Sequence, residues 1–126
     1  MHNKYILKNA HKHGLSEDNI YFVYKIFFGT LFSESRLKII NLLRTGEKNV
    51  SELIKKLDMN QANVSHNLAR LRKCGFVKIR IKKQYRYYSL NSETIKPLMK
   101  LIDKHMGEYC IHIFKENKVK KYNEKS

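Results

Sequence analysis

The stretch from Val50 to Leu71, VSELIKKLDMNQANVSHNLARL, constrains the fold more than any other part of the chain. It reads as two short amphipathic helices joined by a tight turn. Asn49 and Glu52 have capping-box spacing and open the first helix, whose Leu53, Ile54 and Leu57 face a core. Asp58-Met59 forms the turn, and Asn60 caps the second helix. There Val64, Leu68 and Leu71 recur with helical spacing, and Gly75 terminates the run. The second helix also carries Gln61, Asn63, Ser65, His66 and Asn67, which read as one exposed polar face. A core has no use for such a face. Amide, hydroxyl and imidazole groups are those that meet base edges and phosphates.

The flanks supply the rest of a small fold. Asp18 is placed to cap a helix through IYFVYKIFFGTLF. Its Phe22, Val23, Ile26, Phe27 and Phe28 cover more than one stripe, which predicts burial on two sides. Gly29 weakens it near its end. Ser33 or Ser35 then caps a helix with Leu37, Ile39, Ile40, Leu42 and Leu43 at helical spacing, ended by Gly46. From Phe76 the period becomes two. Val77, Ile79 and Ile81 alternate with Lys78, Arg80 and Lys82, and Tyr85 and Tyr87 with Arg86 and Tyr88, a β-hairpin with a basic face. Tyr85, Tyr87 and Tyr88 read as aromatics packed against the helices rather than a platform for single-stranded bases. A last helix starts near Ser92, with Ile95, Leu98, Ile102, Met106, Tyr109 and Ile113 on one stripe.

Charge narrows the partners. The 126 residues hold 26 Lys+Arg against 11 Asp+Glu, a net charge of +15. Such an excess opposes compaction unless a polyanion is bound, so DNA, RNA or an anionic membrane surface is implied. No apolar run is long enough to span a membrane, and the first residues lack a signal-peptide core, which predicts a chain without a membrane partner. Cys74 and Cys110 form no disulfide framework or Cys-x-x-Cys unit, which fits a reducing cytoplasm. Cys74 reads as a packing thiol. No triad, phosphate loop, HExxH or paired-carboxylate pattern is present, so an enzyme is not expected.

The expected fold is mainly α with a small β-hairpin wing: a winged helix-turn-helix with an extra helix at each end. One domain is expected over residues 1–126. Residues 1–17 form a flexible leader or a short helix, 18–32 a dimerisation helix, and 33–91 the winged helix. Residues 92–114 form a second dimerisation helix, and 115–126 a charged, frayed tail. The stripes of the two end helices exceed what the small central module can cover. A second copy of the chain is the economical partner, because symmetric dimers match palindromic DNA sites.

Three segments carry a family resemblance: Asn60 to Leu68, Leu71 to Val77 and the hairpin exit Tyr87-Tyr88-Ser89-Leu90. With Ser35 to Ile40 they make the chain resemble the ArsR/SmtB group of winged-helix transcriptional repressors over residues 31–90. The proline usual before the first core helix is absent. The resemblance implies a homodimer whose end helices pack across its axis, with one recognition helix of each protomer in a major groove of double-stranded DNA. The hairpin tip, usually built on glycine, here reads Lys82-Lys83-Gln84, which predicts a longer or looser and more basic tip.

The residues expected to meet DNA are Gln61, Asn63, Ser65 and His66 on the recognition helix. Arg70 lies further along it, and Arg80, Lys82, Lys83 and Arg86 lie on the wing. Asn63 has a second reading, turned toward the first core helix. No cofactor is required by this reading. The resemblance adds a transition-metal effector, Zn(II) among the candidates. The thiolate site of some members is missing here, since Asn49 to Leu53 holds no cysteine. Of the last-helix site, the early positions hold Ser92 and Thr94, which are poor ligands, and the later ones hold His105 and Glu108. Cys110 and His112, with the N-terminal His2, His11 and His13, are further candidate ligands. The competing reading makes these ordinary surface histidines. The expected function is a sequence-specific regulator, a homodimeric repressor that occludes a promoter. The alternative is a nonspecific or architectural nucleic-acid-binding protein.

Overall fold

In the computed structural model, residues 2–117 are described. The expectation of a frayed charged tail falls mostly on residues 118–126, which lie outside them. The chain divides into two compact units, Met1–Ser89 and Leu90–Ser126.

The first unit opens with α1 (Lys4–Lys12), capped by the Asn3 side chain on the Tyr5 N–H at 2.8 Å. Within the leader a short helix forms, one of the two readings the sequence left open, and Ala10 is buried as it packs against the next helix. That helix, α2 (Glu17–Leu31), starts one residue before the expected Asp18. Ser16 is the cap, its N–H donating to Asn19 Oδ1 at 2.9 Å. Asp18 sits in the first turn, where a carboxylate complements the helix dipole. Ser33, of the two serines considered, caps α3 (Glu34–Leu43) by accepting the Arg36 N–H.

The Asn49–Glu52 capping box opens α4 (Val50–Leu57), each side chain satisfying the other residue's N–H. Asp58 ends it in the left-handed conformation at φ 51°. Asn60 Oδ1 accepts the Asn63 N–H at 2.8 Å and starts α5 (Gln61–Lys73). The core is closed by Ile39, Ile40 and Leu43 of α3, Leu53 of α4, Val64, Leu68 and Leu71 of α5, and Phe76. Phe27 of α2 stacks on Phe76 with ring centroids 5.2 Å apart.

The hairpin is β2 (Val77–Lys82) and β3 (Tyr85–Leu90), and a two-residue strand, β1 (Lys48–Asn49), joins it. The sheet order is β1-β3-β2, with Lys48 opposite Tyr88 and Asn49 opposite Tyr87 in antiparallel register. Sequence periodicity missed β1, because two residues carry no period. The tip is not long or loose. Only Lys83 and Gln84 separate the strands, and Lys83 takes the glycine-like φ of 56° itself. The tyrosines also divide differently from the expectation. Tyr88 is buried, whereas Tyr85 is exposed and Tyr87 half-buried on the opposite face beside Arg80. A period of two permits only one of these sets to face the helices.

In the second unit Asn91 Oδ1 accepts the N–H groups of Glu93 and Thr94, and α6 (Ile95–His105) begins after them, later than Ser92. Ile95 and Met99 are buried. At Met106–Cys110 the helix widens into a π turn, then continues to residue 117. The extra residue in that turn rotates everything after it, so the single stripe expected through Met106, Tyr109 and Ile113 does not run straight. No helix among the described residues is long and apolar enough to cross a membrane.

Candidate nucleic-acid interface

Helix α5 presents its N-terminal half outward. Gln61, Asn63, Ser65 and His66 are all exposed, while Val64, Leu68 and Leu71 anchor the opposite side. Thirteen residues at 1.5 Å each make a rod of roughly 20 Å, long enough to lie along a major groove. No acid occupies its first turn, so the positive end of the helix dipole is uncompensated there. Arg70, Arg72 and Lys73 fall in its last turn, where the dipole favours cations.

The wing stands beside this helix across a groove of about 590 Å³. Ser65, Ala69, Arg72 and Lys73 form one wall, and Ile79, Arg86 and Tyr88 the other. The fold thus brings Arg86 next to recognition-helix side chains, away from the Arg80 face of the hairpin. Lys82 and Lys83 project at the tip and are exposed.

Four residues of the expected helix face and wing have internal partners, Asn63 among them, its Oδ1 accepting from Asn67 Nδ2 at 2.6 Å. Asn67, read from the sequence as part of the exposed face, is 5 % exposed and accepts from Arg36 at 3.2 Å. Arg70 is half-buried, its Nε donating to Thr30 Oγ1 at 3.1 Å. Arg80 is held by Glu47, with Nε to Oε2 at 3.3 Å, and lies over the Tyr87 ring at 5.1 Å. The Arg80 hydrogen bond holds the Glu47 carboxyl below its usual range, and the same pairing raises Arg80. Because Glu47 is lowered, the pair is intact at neutral pH and is lost as the pH falls through that lowered value.

Behind the exposed face lies a polar cluster that the residue pattern alone did not indicate. Arg36 Nε donates to the Thr30 carbonyl at 2.6 Å, and its two amino groups reach the Gly29 carbonyl and Asn67 Oδ1. Thr30 is fully buried and spends its single proton on the Ile26 carbonyl at 2.8 Å. The Cys74 thiol, 3.2 Å away, is therefore the donor to Thr30 Oγ1, which agrees with a packing role for Cys74. The cluster ties α2, α3 and α5 together. One signal for it was available: Arg36 stands in the first turn of its helix, the end that disfavours a cation, so another partner must hold it.

The expected metal ligands are placed less tightly. His105 packs on the Tyr109 ring at 4.8 Å, and Glu108, Cys110 and His112 are exposed. Among the described residues no group of three or more His, Cys, Asp or Glu side chains stands close enough to hold a metal ion.

This arrangement has relatives. Residues 33–78 match the model of the bacterial regulatory protein family arsR. The transcriptional activator HlyU of Vibrio cholerae is 32 % identical over 77 residues, spanning 61 % of this chain and 71 % of that protein. The crystal structure of M. tuberculosis Rv0081 superposes with a TM-score of 0.70 at 26 % identity, covering 75 % of this chain and 96 % of that one. The homodimeric winged helix-turn-helix DNA-binding domain of Mycobacterium bovis Mb0332 gives 0.66 at 26 % identity, with coverage of 75 % and 89 %. The helix-turn-helix with its capped recognition helix, the basic wing beside it and these matches agree: the chain belongs to the ArsR family of winged helix-turn-helix transcriptional regulators.

Proposed function

We propose that the chain works as a cytoplasmic homodimer that reads a palindromic operator and represses transcription by occluding the promoter. The observation that carries the DNA reading is the outward row of Gln61, Asn63, Ser65 and His66 on α5, beside a wing tipped by Lys82 and Lys83. Each protomer lays this row in a major groove. The two half-sites lie roughly 34 Å apart, or a multiple of it. The dimer reading draws on the largely exposed apolar face of α2, and Mb0332 is described as homodimeric. The winged helix of residues 33–91 binds DNA, and the helices on either side of it belong to assembly.

The test is binding of the purified protein to DNA upstream of its own gene at physiological salt, against competitor DNA. A regulator holds a specific-over-nonspecific ratio of roughly a thousandfold or more, whereas a coating protein shows none. Ser65→Ala and His66→Ala should each weaken operator binding by about 1–3 kcal/mol and leave nonspecific binding nearly unchanged. HlyU is named an activator, so the direction of control is read from a promoter reporter. Repression predicts that expression rises when the regulator is removed.

The wing adds affinity without sequence preference. Lys82→Ala or Lys83→Ala should weaken binding to all sequences alike and lower the slope of log K against log salt by about one for each phosphate no longer neutralised. Glu47→Gln should act in the opposite sense. It frees the Arg80 guanidinium from its carboxylate partner, so binding tightens and the salt slope steepens by about one. Titrations across a salt series check both.

DNA binding needs no metal in this reading. Among the described residues His105, Glu108, Cys110 and His112 form no group of three that could hold a metal ion, so a Zn(II) site built on them would draw ligands from a second protomer. Operator release on adding Zn(II), abolished in His105→Ala, is the result that assigns them an effector role.

A further inference from the structure

Arg36, Asn67 and Asn63 form a chain of hydrogen bonds whose direction is set at one end. A guanidinium can only donate. Arg36 is held in place by the Thr30 carbonyl at 2.6 Å and the Gly29 carbonyl at 3.1 Å, and its remaining amino group meets Asn67 at 3.2 Å. The Asn67 atom facing it must therefore be the amide oxygen. That places Asn67 Nδ2 on the other side, where it donates to the Asn63 carbonyl at 2.9 Å and to Asn63 Oδ1 at 2.6 Å. Asn63 is oriented in turn, since its reverse orientation would set two NH2 groups against each other. Its oxygen points back to the helix and its Nδ2 points out. Asn63 is exposed, and its Nδ2 has no partner among the described residues.

We propose that Arg36 and Asn67 are positioning residues that lock the polarity of the Asn63 amide, so that the recognition helix offers DNA a hydrogen-bond donor at this position. The inference rests on the DNA-binding reading above and adds what that site recognises. A freely rotating asparagine pairs with adenine through both its oxygen and its nitrogen. Here the oxygen is already engaged, and the two Nδ2 protons suit a base edge that presents acceptors. In the major groove guanine presents O6 and N7 side by side and thymine presents O4, whereas adenine sets its N6 donor beside N7 and cytosine offers only its N4 donor.

The experiment is selection of binding sites from a randomised DNA pool by the full chain and by two variants. Asn67→Asp keeps an acceptor for Arg36 but has no proton for Asn63, so the Asn63 amide turns over and presents its oxygen. Asn63→Asp presents an acceptor directly, in a first-turn position where an acid suits the helix dipole. This second variant keeps the proposal testable if the first does not fold. At one position of each half-site, wild type should select guanine or thymine by roughly tenfold over other bases. Both variants should instead select cytosine or adenine, whose N4 and N6 groups donate.

A folded Asn67→Asp chain that keeps the wild-type preference overturns the relay. If only Asn63→Asp shifts the preference while Asn67→Asp is folded, Asn63 reads the base without the relay, and the proposal also fails. A wild-type chain that selects no sequence overturns the DNA reading instead. Side-chain amide spectra of the free protein then decide the relay alone. Slow solvent exchange at Asn67 Nδ2 with fast exchange at Asn63 Nδ2 supports it, and fast exchange at both overturns it.

Discussion

A Phe28→Asp chain should run as a folded monomer in sedimentation equilibrium and bind its operator about two to four orders of magnitude more weakly. Tyr21, Tyr24 and Phe28 of helix α2 and its C-cap residue Phe32 fall along one side at helical spacing. Tyr21 is 61 % exposed, Phe28 59 % and Phe32 90 %, so among the described residues this side stays largely open, with the His2 ring against Tyr21 and Tyr24. Soluble monomers rarely leave so large an apolar face in water. Each of these rings gains about 1.5–3 kcal/mol on full burial, and several together suffice for a stable pair of protomers. A carboxylate at Phe28 would be buried without a partner in that interface, a state it avoids by not assembling. The fold should survive, because the ring lies mainly outside the core. A lone protomer engages one half-site instead of two, which is the source of the weaker binding. Phe28→Tyr should keep the dimer and its affinity. A wild-type chain that is monomeric at operator-saturating concentrations contradicts the dimer reading.

Arg36→Met should cost about 2–4 kcal/mol of folding stability, read as a lower urea midpoint at unchanged slope. The guanidinium serves two backbone carbonyls of α2 and the buried oxygen of Asn67. Methionine fills much of the space but donates nothing, so the Thr30 carbonyl and Asn67 oxygen lose a donor in part-buried positions, while the Gly29 carbonyl is open to solvent. Hydrogen bonds from a charged donor are stronger than neutral ones, and unsatisfied buried acceptors add their own penalty. Arg36→Lys should recover only part of the stability, since an ammonium cannot span three acceptors set for a planar fork. The surface pair Lys38–Glu34 offers the contrast. Its side chains are 56 % and 85 % exposed, and Lys38→Met should change stability by less than about 0.5 kcal/mol.

What could be read directly from the residues was local. The Asn49–Glu52 box, the Asn60 cap and the Val64, Leu68 and Leu71 stripe rest on groups three to seven residues apart, at distances the helix itself imposes. The hairpin was legible for the same reason. Its tip was not, because nothing in Lys83-Gln84 announces that a lysine will adopt a positive φ. Charge made a polyanion the partner to expect, and the polar row on α5 pointed to DNA and to where it would be met.

Asn67 and Arg70 show where such reasoning stops. Both lie on a helix whose pattern leaves them polar and outward, yet both turn to partners on other helices. Arg36 is 31 residues from Asn67, and Thr30 is 40 from Arg70. Glu47 likewise finds Arg80 across 33 residues. The sequence by itself determined the helix-turn-helix, its caps, its core stripe and the basic character of the surface, since each depends on short-range geometry or on composition. Only the tertiary structure decided which polar groups on that surface are free to meet DNA and which are held from behind. Those hydrogen bonds join segments that the chain brings together only once its apolar core has closed.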